Sequence, residues 1–582
     1  MSRGASLIDT LVGVSLMLLV FVGVAGAFQL SIELVSNNKA RIGASALAQE
    51  QLEYIRSLTY DNIGVSGGIP AGTIPQTEMV ALNGVSYTRR VLIRYMDDPK
   101  DGLAAADTNG ITADSKEVKV SVAWNSSNGE RTISLVTRAS PPGVEQTVPG
   151  GTLSVSVQNA AFEPVVSAQV RIQNLNTNPA IDVTSATDLS GNTSFIGAPA
   201  ASGYRITVTK SGYSNAQTYT ADAQNPNPNP GHLTVSNNQT TSSTFNIDLL
   251  AQKTVRTYKA IELLTWEDLL NDATKVATTT NTEVVSGIVQ LAGSEPYPAN
   301  GEVQSVYLGP SYLYRWKEIS WTDTEPAQTE IRYQVYYQAG ADPGPVPDAV
   351  LAGNSAGFTT SPVDISSIPT TTYSTIRLRA ALTTSDTAQT PSIQSWRISY
   401  ENGPEPLGNI QFSMRGNKTI GADGGGVPIY KYNQSSTSDV SGAITLSLME
   451  EDTYTITVDG AGIGYDIAES CPTQPRTLAP ASNMTTLLYF APHTAHSLLV
   501  DVRTAGGAMV PDASVRLYRL PAYDTTTATG GCGQAFFSGL SSGTPGTDPY
   551  TITVSAAGYE AQTVTDVGVS GASRASIIVN AL

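Results

Sequence analysis

The chain begins with a long apolar stretch that continues into a helical pattern. Between Asp9 and Glu33 there are 23 residues without a charge, enough to cross a bilayer as a helix of about 20 residues. Beyond them, apolar residues recur at mixed three- to five-residue steps, roughly along one helix face. The first proline is Pro70. The pattern predicts one continuous helix over residues 5–58, with its membrane part at about 5–32.

Two segments after residue 85 change to the period of two that is typical of β-strands. SYTRRVLIRYM and KEVKVSVAW alternate apolar and polar residues over most of their length. We expect them to belong to a small β region, residues 59–140, that packs on the helix. The loop between them contains Asp97, Asp98, Asp101, Asp107, Asn109 and Asp114.

From residue 150 onward the chain is a succession of short strands, and three segments share one layout. GTLSVSV, GNIQFSM and HSLLVDV each begin a series of strand, proline turn, strand, glycine turn, strand and tyrosine-led strand. The aligned positions are the glycines Gly191, Gly442 and Gly533 and the tyrosines Tyr204, Tyr454 and Tyr550. Such repeats predict β-sandwiches, which we place at residues 150–249, 404–494 and 495–582.

Residues 250–403, between the first two repeats, stand apart because they concentrate aromatic side chains. These are Trp266, Tyr307, Tyr312, Tyr314, Trp316, Trp321, Tyr333, Tyr336, Tyr337, Trp396 and Tyr400. Alternation along one strand places Tyr333 and Tyr337 on one face and Tyr336 on the other. One face is expected to be core. Whether the other face binds a ligand is left open by the pattern.

Composition excludes several functions. Charged residues make up 14% of the chain and the net charge is −17, which argues against nucleic-acid binding because phosphate recognition needs clustered Lys and Arg. Only His232, His493 and His496 could serve histidine chemistry. The sequence contains no HExxH motif and no Gly-rich phosphate loop. We therefore predict that the protein is not an enzyme.

The two cysteines, Cys471 and Cys532, have no CxxC partner or neighbouring His pair. A structural zinc site is therefore not expected. In an oxidising compartment the two can form a disulfide, and two free thiols are the alternative. An extracytoplasmic location favours the disulfide.

The first nine residues, MSRGASLID, carry a more specific pattern. Gly4 is followed by Ala5, by an acidic residue five places on, Asp9, and then by the long apolar helix. This resembles the leader of type IV pilins and type II secretion pseudopilins. The resemblance implies cleavage by a prepilin peptidase between Gly4 and Ala5, methylation of the new amine, and pairing of Asp9 with a neighbouring subunit during assembly. The family usually has Glu where this chain has Asp9. A secretory signal peptide fits less well, because the apolar stretch continues directly into the helix.

The acidic loop is similar in position to a region where some pseudopilins hold calcium. The resemblance implies a Ca²⁺ site formed by Asp97, Asp98, Asp101 and Asp107, whose carboxylates are the ligands that Ca²⁺ prefers. Apart from this calcium we expect no cofactor. A solvated acidic loop is the alternative.

The three repeats resemble carboxypeptidase-regulatory, or transthyretin-like, modules, which serve as spacers and carry no catalytic residues. Asp188 and Asp439 are accordingly interpreted as turn residues. Residues 250–403 resemble the jelly-roll modules of laminin-G-like and discoidin-like surface proteins, which often bind carbohydrate through exposed Trp and Tyr.

We therefore expect a long N-terminal transmembrane helix followed by a mainly-β multidomain chain of β-sandwiches. The resemblances imply a minor pilin or pseudopilin-like subunit of a cell-surface fibre or secretion apparatus, with its bulk outside the cytoplasm, that functions in adhesion. Its expected partners are prepilin peptidase, other pilin subunits, the inner membrane and a surface glycan or host-cell ligand. The alternative is a membrane-anchored adhesin or carbohydrate-binding protein that does not polymerise.

Overall fold

The computed structural model describes residues 7–98, 100, 111–127, 129–143, 147–339 and 342–582. The predicted fold class is confirmed: one long apolar helix precedes a chain of β-sandwiches. The helix, α1, runs without interruption over Leu7–Arg56 and is followed by a 3-10 turn at Tyr60–Asn62. No proline or helix-capping signal divides α1, so the apolar stretch and the amphipathic stretch form one rod.

A four-stranded antiparallel meander packs on the second half of α1. Its strands follow one another in space in the order of the chain: β1 (Thr77–Leu82), β2 (Val85–Met96), β3 (Ser115–Ser126) and β4 (Gly129–Ala139). The two alternating segments of the sequence are β2 and β3, which pair with each other along most of their length. Small and apolar residues of α1 share one core with this sheet.

The first sandwich follows the meander. Its strands are β5 (Gly151–Gln158), β6 (Gln169–Asn174), β7 (Ile181–Ala186), β8 (Asn192–Ala198), β9 (Ala201–Thr209), β10 (Ala216–Gln217), β11 (Asn227–Pro228), β12 (Leu233–Val235) and β13 (Thr240–Asn246). One sheet has the order β13-β5-β8 and the other β10-β9-β6-β7, with β12 also beside β9. The apolar positions of both sheets face one core.

The aromatic sandwich, Glu262–Asn402, is inserted into the second sandwich after β14 (Ala251–Lys259). Its strands are β15 (Glu262–Asp268), β16 (Val276–Thr280), β17 (Thr282–Val285), β18 (Ile288–Leu291), β19 (Asn300–Ser305), β20 (Leu313–Thr324), β21 (Thr329–Ala339), β22 (Asp342–Pro345), β23 (Val363–Asp364), β24 (Ile376–Thr384) and β25 (Ser392–Asn402). One sheet has the order β17-β18-β25-β20-β23, with β15 also paired to β25; the other has the order β16-β19-β24-β21-β22.

The second sandwich resumes after the insert. Its remaining elements are β26 (Glu405–Pro406), β27 (Gln411–Arg415), β28 (Thr419–Ala422), β29 (Pro428–Tyr430), β30 (Asn433–Thr437), β31 (Ala443–Met449), β32 (Asp452–Thr457), the short helix α2 (Gly460–Ile463), β33 (Tyr465–Cys471), β34 (Arg476–Leu478) and β35 (Asn483–Pro492). One sheet contains β31-β14-β35-β33, and the other has the order β30-β27-β32-β34.

The third sandwich ends the chain. Its strands are β36 (Ser497–Thr504), β37 (Ser514–Arg519), β38 (Tyr523–Ala528), β39 (Gln534–Phe537), β40 (Tyr550–Ser555), β41 (Gln562–Val567) and β42 (Ala572–Val579). The sheets have the orders β39-β36-β42 and β38-β37-β40-β41.

All three sandwiches share one seven-strand topology. The seven shared strands are β5–β10 and β13 in the first sandwich, β14, β27, β30, β31, β32, β34 and β35 in the second, and β36–β42 in the third. In each sandwich the first strand pairs in parallel with the seventh and antiparallel with the fourth. The other sheet always has the order third, second, fifth, sixth. The sequence pattern assigned residues 250–259 to the aromatic unit and GNIQFSM to the first strand of its repeat. The structure corrects that assignment: the first strand is β14, and GNIQFSM contains the second, β27.

The shared layout of the repeats rests on the turn glycines identified from the sequence. Gly191, Gly442 and Gly533 have φ of 75°, 75° and 70°, a region that side chains rarely adopt. The carbonyl of each accepts the N–H of a first-strand residue, at 2.8, 2.7 and 2.8 Å. A Cβ on Gly442 would lie 2.5 Å from the carbonyl oxygen of Thr257. Glycine is therefore needed both for the turn and for its close approach to the first strand.

Neighbouring units contact each other at three joints. Between the meander and the first sandwich, Asp182 donates its N–H to the carbonyl of Gly67 at 2.8 Å, and Ile69 enters the sandwich core. Strand β11 of the first sandwich pairs with β28 of the second. The second and third sandwiches are joined by a disulfide between Cys471 and Cys532.

Candidate functional site

Helix α1 is divided into an exposed apolar half and a packed half. The large apolar side chains described between Leu11 and Ile32 are all exposed, at 51–71% of their surface. These 22 positions span about 33 Å of helix, close to the hydrocarbon thickness of a bilayer. By length and composition α1 can cross a membrane. From Glu33, whose carboxylate contacts the Ser127 hydroxyl, the helix lies against the meander.

The packed half of α1 is fitted to the sheet by its small residues. Ala40, Ala44 and Ala48 are buried, and the Tyr87 hydroxyl donates to the carbonyl of Ala40 at 3.0 Å. A Cβ on Gly43 would lie 2.5 Å from that hydroxyl. The sequence ARIGASALA therefore brings the helix backbone close to the sheet.

A buried lysine ties the loop after α1 to the same sheet. The Lys116 ammonium donates to the carbonyls of Tyr60 and Ile63, at 2.8 Å each, and lies 4.4 Å from the centre of the Tyr60 ring. Burial lowers the pKa of Lys116 to about 8 and raises the pKa of Tyr60 to about 12.

The residues predicted for processing and assembly are only partly covered by the described structure. Asp9 lies in the first turns of α1. Gly4 and Ala5 lie outside the described residues, so cleavage and methylation there stay predictions.

The predicted calcium ligands are likewise divided. Asp97 and Asp98 follow β2, and the N–H of Asp98 donates to a carboxylate oxygen of Asp114 across the loop. Asp101 and Asp107 lie outside the described residues. In the part of the chain that the structure describes, the one group of His, Cys, Asp and Glu atoms spaced to hold a metal ion is Glu469 with Cys471 and Cys532. Its two sulfurs are joined in the disulfide. The calcium site therefore stays a prediction.

The disulfide forms the joint between the second and third sandwiches. Cys471 ends β33, an edge strand that the other two sandwiches lack. Cys532 lies in the glycine turn of the third sandwich, with its Cα 5.7 Å from that of Cys471. The N–H of Cys532 donates to the Glu469 carboxylate at 2.8 Å. The pKa of that carboxyl is raised because it is buried in the joint.

Most of the large aromatic rings predicted as ligand candidates form the core of the aromatic sandwich. Trp316, Trp396 and Tyr333 are fully buried, and Trp321 stacks on Tyr333 at 4.0 Å between ring centres. The Trp316 indole donates to the carbonyl of Tyr373 at 2.8 Å. The exposed candidates are Tyr312, which directly precedes β20, and Tyr314, the second residue of that strand.

A second set of side chains forms a polar and aromatic surface on the sheet β16-β19-β24-β21-β22. We call it the tyrosine–arginine face, and it consists of Gln304, Tyr307, Gln334, Tyr336, Arg377 and Arg379. Strand alternation turns these residues away from the core, since their neighbours Leu378 and Val335 are fully buried. In register, Arg377 lies opposite Tyr336, and Arg379 lies between Gln334 and Gln304.

The two arginines of this face differ in their partners. The Arg379 guanidinium donates to the carboxylate of Glu302 and to the side-chain oxygen of Gln334. The hydrogen bond from Arg379 lowers the pKa of Glu302. Arg377 stacks over the Tyr307 ring at 4.4 Å. It makes no hydrogen bond or ion pair with any residue that the structure describes.

Sequence reasoning identified Tyr307 and Tyr336 but missed the arginines and glutamines beside them. A usable signal was present in TIRLRAAL, where Arg377 and Arg379 alternate with buried apolar residues. Two arginines at the same parity must lie on one sheet face.

The three histidines have local roles in the structure. The Nδ1 atom of His493 lies 2.9 Å from the Asp466 carboxylate, and that of His496 accepts the N–H of Gly571 at 3.0 Å. His232 lies between the hydroxyls of Thr218 and Thr220, at 2.9 and 3.0 Å. Burial lowers the pKa of His232.

Comparison with known proteins assigns no family. No family model matches the chain, and no curated protein matches it. Solved structures that align include the TIE protein of Bacillus anthracis, at 11% identity over 87% of this chain and 73% of that chain, with a TM-score of 0.15. The major pilin subunit BcpA of Bacillus cereus aligns at 10% identity over 74% of this chain and 100% of that chain, with a TM-score of 0.13. The minor pilin GBS52 of Streptococcus agalactiae aligns at 12% identity over 30% of this chain and 84% of that chain, with a TM-score of 0.12. At such TM-scores the argument for function rests on this chain's own residues.

Proposed function

We propose that the protein is a pilin-like subunit of a cell-surface fibre or secretion apparatus that displays β-sandwiches outside the cell for adhesion. The observation that carries the proposal is the division of α1. A continuous 50-residue helix leaves its apolar half uncovered and packs its other half on a four-stranded meander. An apolar rod of this length has two suitable environments, a lipid bilayer and a bundle of the same helices from other subunits.

Residues before and within the helix would supply the cleavage site and the charge that pairs subunits. Prepilin peptidase would cut between Gly4 and Ala5, and the Asp9 carboxylate would pair with the amine of a neighbouring subunit. A carboxylate within an apolar helix costs about 2.5–3.5 kcal/mol on insertion scales, so a partner charge would favour its retention. Under this proposal the protein is a single-pass membrane protein before assembly and performs no catalysis.

Processing is tested by the intact mass of the purified protein after co-expression with a prepilin peptidase. The expected product lacks MSRG and begins with methylated Ala5. The Gly4→Ala variant should not be cut by the peptidase and should keep the residues that precede Ala5. An uncut wild-type chain, or cleavage after the apolar stretch, would refute the pilin-like proposal.

Assembly is tested separately by shearing cells and recovering the fibre fraction. The wild type should appear in the sheared fraction, and Asp9→Asn should remain in the membrane. Glu50→Gln, on the exposed side of the same helix, is the matched control and should behave as wild type. Retention of both wild type and Asp9→Asn in the membrane would favour the alternative of a membrane-anchored adhesin that does not polymerise.

A role in carbohydrate binding is the second candidate function. The tyrosine–arginine face favours it, because this surface combines aromatic rings with charged and amide groups on a rigid sheet.

A further inference from the structure

The unpaired charge of Arg377 marks the centre of the tyrosine–arginine face. Arg377 is half-buried between Tyr307, at 4.4 Å, and its register partner Tyr336. Guanidinium groups in such positions are normally bound to carboxylates or carbonyls. Among the described residues Arg377 has neither, although Arg379, two positions along the same strand, has both a carboxylate and an amide partner.

Three polar atoms on this face lack a hydrogen-bond partner within the described structure although they are shielded from solvent. They are the Nε of Arg377, the hydroxyl of Tyr307 and the side-chain oxygen of Gln304. Unsatisfied polar atoms of this kind are rare in folded proteins and call for an explanation. Because these three atoms are shielded from solvent, a ligand on the face would contact the terminal nitrogens of Arg377 rather than the shielded atoms.

The charge of the face defines the sign of that ligand. Glu302 and Arg379 compensate each other, so Arg377 leaves the face with an excess positive charge. The whole chain has a net charge of −17. A positive surface on an acidic protein is complementary to an anionic ligand that is also able to approach aromatic rings.

We propose that the tyrosine–arginine face binds an acidic saccharide, with the sugar carboxylate on the terminal nitrogens of Arg377. The Tyr336 ring supplies an apolar surface for a sugar face. A uronic acid unit provides both groups within one ring, a carboxylate and an apolar C–H face. A nucleic acid is disfavoured because a single uncompensated arginine gives little phosphate affinity.

This inference rests on the proposal that the sandwiches are displayed outside the cell, but its test does not depend on assembly. The purified full-length protein in detergent is titrated with polygalacturonate, alginate and hyaluronate, and binding is followed by affinity electrophoresis. The methyl ester of polygalacturonate is the uncharged control with the same backbone. We expect binding to at least one uronate polymer, weakened by salt, and no binding to the ester.

Variants locate the binding to this face. Arg377→Gln should weaken binding about tenfold or more, because a charge-assisted bidentate contact is lost. The control is Arg397→Gln, since Arg397 lies on the other sheet and is paired with Glu267. It should bind as wild type.

Two results would overturn the inference. One is no binding to any of the three uronate polymers by a correctly folded protein. The other is equal binding by the wild type and Arg377→Gln. Recovery of Arg377→Gln in the sheared fibre fraction at wild-type levels is expected in every case, so a failure of saccharide binding leaves the proposed assembly function standing.

Discussion

Replacing Lys253 with leucine is expected to stabilise the second sandwich. Lys253 is in β14 and is 1% exposed. The parallel and antiparallel registers place it at the position that Leu153 occupies in the first sandwich and Leu498 in the third. Its ammonium donates to the Thr486 hydroxyl at 2.9 Å. The structure shows no carboxylate beside it among the described residues.

The size of the effect follows from the pKa of this lysine. Burial lowers it from 10.5 to about 8. A lowering of the pKa by about 2.5 corresponds to about 3–4 kcal/mol, at about 1.4 kcal/mol per pKa unit. This is the cost of keeping the buried ammonium charged at neutral pH. Lys253→Leu removes this cost, and part of the gain is offset because the Thr486 hydroxyl loses its partner.

The sign of the pH dependence separates this cause from general effects of hydrophobic substitution. Because the folded-state pKa is lowered, the unfolded chain binds more protons between pH 8 and pH 10.5. Stability of the wild-type second sandwich should therefore rise with pH across that window, and below pH 8 the full cost should be present. Lys253→Leu should show no such rise from this position.

Hydrogen exchange in a urea series measures the effect locally, since a chain of several domains does not unfold in two states. Peptides covering β14 and β35 report on the second sandwich, and those covering β36 serve as an internal reference. The reciprocal variant Leu498→Lys should destabilise the third sandwich by a comparable amount. Unchanged or reduced protection of β14 in Lys253→Leu at pH 7 would refute the reasoning.

Three further variants test the architecture. Gly442→Ala should cost more stability than Gly426→Ala. Both glycines have positive φ, but a Cβ on Gly442 would meet a backbone oxygen, whereas a Cβ on Gly426 would face open space. Hydrogen exchange of the second sandwich compares the two variants, and equal losses of stability would contradict the close-approach argument. Tyr454→Phe removes a 2.9 Å hydrogen bond from a buried hydroxyl and should cost the second sandwich about 1–2 kcal/mol, measured by hydrogen exchange in the urea series; unchanged protection of β32 would contradict this estimate. Replacing both Cys471 and Cys532 with serine should leave each sandwich folded but increase proteolysis between the second and third sandwiches, and an unchanged cleavage rate would show that the joint is held without the disulfide.

Local patterns predicted the helix, the meander strands and the recurring turns correctly because each depends on neighbouring residues. The turn glycines and the strand-leading tyrosines could be aligned from the sequence alone because each belongs to a short recurring pattern of neighbouring residues. Strand β14 could not be placed in the same way. Its residue Lys253 pairs with Met484, far along the chain, and such a pairing leaves no mark in the local sequence.

The candidate binding face was predictable only in part for a similar reason. Alternation in β21 placed Tyr336 on the face opposite Tyr333, and the structure shows that Tyr333 is on the core side. The neighbouring rows of the face come from β19 and β24, and their order in the sheet depends on pairings between distant segments. The pairing of Arg379 and the unpaired state of Arg377 follow from that order. The Trp residues, the strongest carbohydrate signal in the sequence, instead fill the core, because large aromatic rings bury the most apolar surface.

The geometry of the insertion predicts that the aromatic sandwich can be removed without unfolding the second sandwich. The strands on either side of the insert are adjacent: Lys259 pairs with Glu405 and forms an ion pair with it at 2.7 Å. A Cβ on Gly403 would lie 3.1 Å from the Cα of Ile261, so a short turn can replace residues 262–402. Domains inserted through adjacent ends fold largely on their own core. The shortened protein should keep hydrogen-exchange protection in β14 and β35 and enter fibres, but lose saccharide binding. Loss of protection in β14 would show instead that the second sandwich needs the insert to fold.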